Sequence, residues 1–410
     1  MKVLISAYDC KPNYGSEAGN GWNWAWHLAE LGHEVWVLTF ANNQELIEAE
    51  LALRPVSQLH FIYIDIPIWI KRYAKMTPGD FGWQSSYLAW QQRAAQIAQQ
   101  VDREHGFDVI HHVTWASITA GSWLWSLNKP FVFGPVGGGQ ITPPLFKKYF
   151  LNNQWRKEAV RSLIFEKLAK FNFISRQTIS KADLVLATNR DTYELAWRLG
   201  AHQVEFFSVV GLAQNYLPPQ LPVRSAASEL RLLWIGSPIP TKGCLLALES
   251  LAKVDPSIPW KLTVIGFSSS DRDLMSAIAK LGIKDRVDCK GRIPWSELKN
   301  EYLNSDVFIF TSLRNSLGAQ LIEAMGCGLP IITLNHQGAR DFVPEDAGIK
   351  VPVTNPTQTS TAIAQAVEHM YRNIEQRREM GRIAYEYAST QTWSMKARQM
   401  SEYYQELIES

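Results

Sequence analysis

Residues Thr311–Pro330 read TSLRNSLGAQLIEAMGCGLP. The apolar run Val307–Thr311 reads as a strand, Asn315, Ser316 and Gly318 supply loop residues, and from Gly318 to Met325 the apolar residues return at helical spacing. Such a strand–loop–helix unit leaves backbone N–H groups unpaired at the helix start, where their partial positive charge seats a phosphate. Glu323 falls about one and a half turns into that helix, within reach of ribose hydroxyls.

The same beat runs outward in both directions. In the second half, strands are expected at Leu230–Ile235, Trp260–Ile265, Val287–Lys290 and Pro330–Leu334, with helices from Gly243 to Ala252, Asp271 to Leu281 and Trp295 to Asn304. In the first half, strands are expected at Lys2–Ala7, Glu34–Phe40, Leu59–Ile64, Asp108–Val113, Pro130–Phe133 and Asp183–Ala187, with helices at Glu17–Leu31 and Trp83–Glu104. Strands alternating with helices imply parallel sheets with crossover helices, an α/β class. A chain of 410 residues exceeds what one core usually serves, so two doubly wound domains are expected. The seam falls near Val209–Pro222, where Gly211, Pro218, Pro219 and Pro222 interrupt regular structure. The predicted division is 1–210, 211–385 and a final helical stretch 386–410. In that last stretch Trp393, Ala397, Met400, Tyr404 and Leu407 form an apolar stripe that must bury against something, with the first domain a candidate.

Composition narrows the function. The net charge of +2, from 41 basic and 39 acidic residues, argues against a general nucleic-acid binder. Cys10, Cys244, Cys289 and Cys327 lie far apart, without a CxxC pair or zinc spacing, which fits a reducing cytoplasm and no structural metal. The start MKVLISAYDC is too short for a signal peptide, and no later stretch offers the ~20 apolar residues of a spanning helix. The sixteen tryptophans suit core positions or an apolar, sugar-binding surface. Asp271-Arg272-Asp273 has the form of a metal-binding DxD but sits at a helix start, where carboxylates favour the dipole. From Leu145 to Lys181 nine cations face only Glu158 and Glu166, with seven interleaved aromatic residues. That stretch 145–181 is either a solvated helix face over core aromatics or a surface for an anionic membrane.

The segment around Glu323 resembles the signature of family four retaining glycosyltransferases, in which two glutamates eight positions apart precede AMxCGxP. Glu323 holds the second position and Asn315 the first, where the charge is lost. The loop Gly236–Gly243, GSPIPTKG, resembles the family's GR…KG loop, with Lys242 at the pyrophosphate-binding lysine and Ser237 in place of the arginine. The resemblance implies a GT-B fold, two Rossmann-like domains facing each other across a cleft with a C-terminal helix returning to the first. It implies donor contacts from Gly236, Ser237, Lys242, Gly266, Arg292, Ile293, Asn315, Ser316, Leu317, Gly318, Ala319 and Glu323. It places Gly15, Ser16 and Glu17 of YGSEAGNG, and Gly137, Gly138 and Gly139 of GPVGGG, on the acceptor side. His111 and His112 stand where the family carries H-x-H, with Val113 at the second His position in an ungapped reading; together with Lys242 and Glu323 they form the expected catalytic set, and at least one of the two histidines is expected to be buried and satisfied. Arg314 and Arg340 are candidates to replace the cation missing at Ser237.

The implied activity is transfer of a sugar from a nucleotide-diphosphate donor to a hydroxyl of a glycan or lipid-linked acceptor, with retention, without a metal or other cofactor. Surface or exopolysaccharide synthesis on the cytoplasmic membrane face is its usual setting. Ser237 and Asn315 keep open a non-catalytic nucleotide-sugar-binding partner on the same fold. A nicotinamide-dependent oxidoreductase is disfavoured, since Tyr14–Gly21 lacks the GxGxxG spacing and the second strand ends without an acid.

Overall fold

A computed structural model describes residues 1–76, 80–163, 172–222, 224 and 229–409. The strands are β1 (Lys2–Ser6), β2 (Glu34–Phe40), β3 (Leu59–Ile64), β4 (Val109–His112), β5 (Phe131–Val136), β6 (Leu184–Ala187), β7 (Val204–Phe206), β8 (Leu230–Ile235), β9 (Trp260–Ile265), β10 (Val287–Gly291), β11 (Val307–Phe310), β12 (Ile331–Leu334) and β13 (Gly348–Val351). The helices are α1 (Ser16–Glu30), α2 (Gln44–Leu53), α3 (Ile68–Met76), α4 (Asp80–His105), α5 (Asn152–Leu163), α6 (Phe173–Lys181), α7 (Arg190–Arg198), α8 (Cys244–Leu251), α9 (Arg272–Lys280), α10 (Trp295–Leu303), α11 (Ala319–Gly326), α12 (Gln337–Phe342), α13 (Pro356–Arg372), α14 (Ile374–Ser389) and α15 (Trp393–Glu409).

The first sheet runs β3-β2-β1-β4-β5-β6-β7 and the second β10-β9-β8-β11-β12-β13, with parallel pairing throughout. Both are doubly wound: the order reverses between β1 and β4 and again between β8 and β11. Helices leave those neighbouring strands in opposite directions, which opens a crevice at their C-terminal ends. Strands covered on both faces need apolar residues at successive positions, and Val3, Leu4 and Ile5 of β1 are all fully buried. Their side chains alternate between two cores, Leu4 joining Trp90 and Ala94 of α4, and Val3 and Ile5 joining Trp24 and Leu28 of α1. Trp24, Trp90, Trp234 and Trp260 thus serve as core, whereas Trp69 on α3 is exposed.

The chain forms two compact units. The first comprises Met1–Gly138, Glu166–Val209 and Trp393–Ser410; the second comprises Gly139–Phe165 and Val210–Thr392. The division predicted at 210 therefore misses a transfer: Phe146 and Tyr149 lie in the second unit's core, and Lys148 Nζ and Tyr149 Oη each donate to Glu249 at 2.7 Å. The returning helix begins at Trp393, not at 386. Helix α14 stays with the second unit, where Gly381 packs on the Gly328 carbonyl and Tyr385 Oη donates to Pro218 O at 2.7 Å. The stripe Trp393, Ala397, Met400 and Tyr404 is buried against α1 in the first unit.

Candidate functional site

The β8/β11 crevice of the second unit is built by two loops that hold each other. After β11, Thr311–Gly318 leads into α11, whose N-cap Gly318 provides no side-chain cap; the Leu321 amide turns back to Gly318 O at 3.0 Å, and the Ala319 and Gln320 amides stay available. After β8, Gly236–Gly243 carries a single 3-10 turn, Pro240–Lys242. The Leu313 amide donates to Thr241 O at 2.7 Å, and Thr311 Oγ1 donates to Gly243 O at 2.8 Å. Gly243 has φ 71°, and a Cβ there would lie 2.1 Å from the Thr311 carbonyl oxygen, so a side chain is excluded on both counts. Gly266, after β9, likewise sits against the Gly236 carbonyl. Sequence motifs distant along the chain, Gly236–Gly243, Gly266 and Thr311–Gly318, are thus neighbours at one sheet edge.

Lys242 is the charge this assembly isolates. Its ammonium makes no hydrogen bond or ion pair among the described residues, and burial, followed by the nearby Arg314 cation, pushes its pKa below the usual lysine range. Two like charges held together in a partly desolvated place are costly unless an anion arrives. Arg314 Nε lies 2.8 Å from Glu158 Oε1 of α5, an ion contact without hydrogen-bond alignment. The same Glu158 oxygen accepts from Thr142 Oγ1 at 2.7 Å. Arg340 is engaged by the carboxylate of Asp341, at 2.8 and 3.1 Å. The Asn315 backbone amide donates to Gln337 Oε1 at 2.8 Å, and the Asn315 Nδ2 is buried without a partner among the described residues. Ser237 is exposed on the rim and Ser316 lies under Gly338; Leu317 is buried and Ala319 opens α11.

Glu323 is 6% exposed. Its Oε1 accepts from Trp295 Nε1 at 2.8 Å and its Oε2 from Tyr302 Oη at 2.9 Å, both donors lying on α10. Burial raises its pKa, and those two hydrogen bonds oppose the rise. A carboxylate offers about four lone-pair sites, so two remain for other donors. Tyr216 stacks on Trp295 at 5.9 Å, with Lys299 Nζ 5.5 Å from its ring centre. Sequence reading missed Glu158, Trp295 and Tyr302. Trp295 and Tyr302 stand seven apart on one helix, a spacing that puts them on one face but does not identify what they hold. Arg292 is exposed and Ile293 half-buried after β10, whose end meets the β9 loop through the Gly266 amide and Gly291 O at 2.7 Å.

The first unit treats its predicted residues differently. Glu17 accepts from the Ala116 amide, tying α1 to the loop after β4. Gly15 caps α1 with exposed Ser16 beside it, and Gly19 faces the Tyr14 carbonyl, 1.9 Å from where a Cβ would sit, so this loop closes on its own backbone. Gly137 exchanges backbone hydrogen bonds with Ala116 and Ile118, and Gly138 O accepts from Thr192 Oγ1; the first unit's segment ends there and Gly139 opens the second's. His111 has a partner at each ring nitrogen. Its Nδ1 meets Tyr404 Oη at 2.5 Å and its Nε2 meets Gly134 O at 2.6 Å, and burial pushes its pKa down to about 4. His112, the last residue of β4, is fully buried with neither ring nitrogen in an aligned hydrogen bond, and burial pushes it to about 3.

Part of the basic stretch, residues 164–171, lies outside the described residues. In the rest, Phe146 and Tyr149 are core, whereas Leu145, Leu151, Val160 and Leu163 are exposed. Asp271 Oδ2 accepts from the Ser268 amide at 2.7 Å, a local turn contact. No helix among the described residues is long and apolar enough to cross a membrane.

Two parallel doubly wound sheets, one with a phosphate-suited crevice at its order reversal, are the fold shared with glycosyltransferases of the GT-B type. Residues 223–387 match the family described as glycosyl transferases group 1, and residues 22–206 match glycosyltransferase family 4, so that together the two cover most of the chain. The protein belongs to the family four glycosyltransferases. It is 29% identical over 335 residues to the D-inositol 3-phosphate glycosyltransferase of Paenarthrobacter aurescens, covering 76% of this chain and 77% of that one. It is 29% identical over 132 residues to the amylovoran biosynthesis glycosyltransferase AmsK of Erwinia amylovora, 30% of this chain and about a third (32%) of that relative's length. Anabaena HepE, whose structure was solved in complex with UDP, superposes with a TM-score of 0.65 at 16% identity, covering 99% of this chain and all of that one.

Proposed function

We propose that the protein moves a sugar from a nucleotide-diphosphate donor to a hydroxyl of a glycan or lipid-linked acceptor, with retention of anomeric configuration, in surface or exopolysaccharide synthesis. The observation that carries the reading is Lys242, desolvated beside Arg314 and without a carboxylate partner among the described residues. A diphosphate supplies the missing charge, and the uncapped start of α11 adds backbone N–H donors. In the reaction the bond from the anomeric carbon to the β-phosphate oxygen breaks. The acceptor oxygen bonds that carbon, and its proton passes to the departing phosphate. Lys242 and α11 stabilise the charge that develops on the leaving group, and Glu323 accepts from the ribose hydroxyls with its two remaining lone-pair sites. The scheme asks for no metal. HepE, of the same fold, was solved with UDP, and the AmsK likeness supports the polysaccharide setting. The exposed apolar residues of α5 and its cations suit a peripheral position on the cytoplasmic membrane face.

A thermal-shift screen of UDP-, GDP- and ADP-sugars tests the donor site. Stabilisation by one nucleotide, lost in Lys242→Ala and Glu323→Ala, is the expected result; indifference to all three sinks the reading. A second reading, a non-catalytic nucleotide-sugar binder, is favoured by Ser237 and Asn315. Tight binding with neither transfer nor donor hydrolysis would select it.

A further inference from the structure

The loop after β8 carries one cation where the resemblance leads one to expect two, because Ser237 stands at the arginine position. We infer that Arg314, from the neighbouring β11–α11 loop, supplies the second cation of the diphosphate site, and that Glu158 on α5 positions it. The inference rests on the donor-site reading above. Four observations lead to it. Thr241 and Leu313, the residues just before the two cations, are joined by a backbone hydrogen bond of 2.7 Å, so Lys242 and Arg314 leave the same point of the sheet edge. Arg314 is close enough to Lys242 to lower its pKa, and the one carboxylate at hand, Glu158, meets Arg314 while the Lys242 ammonium has no ion-pair partner among the described residues. Glu158 meets Arg314 from the side, through Nε, and the two η nitrogens make no hydrogen bond among the described residues. Arginine binds phosphate best through a planar fork, and a carboxylate that fixes Nε leaves the remaining N–H groups as that fork.

The rival cations are spoken for. Arg340 pairs with Asp341 through Nε and an η nitrogen, and Arg161 donates to Gln140 O at 3.1 Å. Glu158 is itself held by Thr142 Oγ1 at 2.7 Å and is only 7% exposed. Its charge is therefore kept from solvent and falls mainly on Arg314 at 2.8 Å, with Arg161 more distant at 3.8 Å from the same oxygen. Compared with the family pattern, the cation has moved from the first loop to the second, next to Asn315, where the family's acid is missing.

UDP, GDP and ADP binding to the full chain, each against its monophosphate, tests the assignment by isothermal titration. For the diphosphate that binds, Arg314→Gln is expected to weaken affinity about tenfold or more while changing the monophosphate by less than about threefold, as loss of one charge-assisted contact requires. Arg314→Lys should fall between, keeping charge without the fork. Adding Ser237→Arg to Arg314→Gln should recover most of the diphosphate affinity, and Glu158→Gln should lose several-fold with melting unchanged. Wild-type binding with an unaltered Arg314→Gln overturns the inference and leaves the donor site standing. Equal loss for both nucleotides, without recovery from Ser237→Arg, marks a structural arginine and also overturns it. Failure of the wild type to bind any of the three removes the donor site and this inference together.

Discussion

The two units carry the same strand order with the same reversal, yet their crevices are finished in opposite ways. In the first, Glu17 is closed by the Ala116 amide, His111 by Tyr404 and Gly134, and Gly138 O by Thr192. In the second, Lys242 and Arg314 repel each other without a shared anion, and Asn315 Nδ2 is buried without a partner among the described residues. Topology supplies a crevice in both; the proposed donor site lies in the one that holds a buried cation without an ion-pair partner among the described residues. His112 stands apart in the first unit, buried with unaligned nitrogens, and keeps that half a candidate for contact with sugar or acceptor.

The largest expected effect sharpens this contrast. Lys242→Met should lower sugar transfer by about 10²–10³-fold, the range seen when a transition-state charge contact is lost. The same change should leave the melting temperature of the ligand-free protein equal or higher, because it removes a desolvated charge. A drop in melting temperature would mean that Lys242 is already satisfied. In the first unit, His111→Ala should act the other way, costing about 1–3 kcal/mol of stability by leaving Tyr404 and the Gly134 carbonyl unpaired, as read by urea unfolding.

Smaller effects concern protons. Trp295 and Tyr302 hold the Glu323 pKa down against its burial. Tyr302→Phe should therefore raise that pKa and move the acid limb of kcat/KM for the donor to higher pH, with rates converging towards wild type at alkaline pH. An unmoved limb would show that Glu323 does not titrate in the free enzyme. His111 and His112 have folded values of about 4 and about 3, below the ordinary 6.5. The unfolded chain thus binds more protons over this window, so their stabilisation is full above about pH 6.5 and is lost as pH falls towards 4 and below. The melting temperature of His112→Phe should decline less steeply than wild type across that window.

The sheets were legible because a strand buried on both faces must be apolar throughout: β1, β8 and β11 announce themselves. The edge strands β7 and β13 did not, being three and four residues long and interrupted by Glu205 and Lys350. Helix α3 gave no inward signal because it buries no residue completely. Lys242 and Glu323 could be picked out by their motifs. The partners that hold Glu323 and Arg314 could not, because a hydrogen bond between distant loops leaves no periodicity behind. The transfer of residues 139–165 to the second unit was hidden for a similar reason, since nothing in Phe146 or Tyr149 says which core will take them.

The seventeen residues of α15 bear on how the chain matures. The first unit takes Trp393, Met400 and Tyr404 as the cover of α1 and the partner of His111, so that unit is completed only by a helix that follows the whole second unit in sequence. Until α15 is made and docks, Trp24 and its neighbours lack that cover, and a message cut short before codon 393 encodes a protein with an open greasy seam. Quality-control proteases would find such a product by its oldest half.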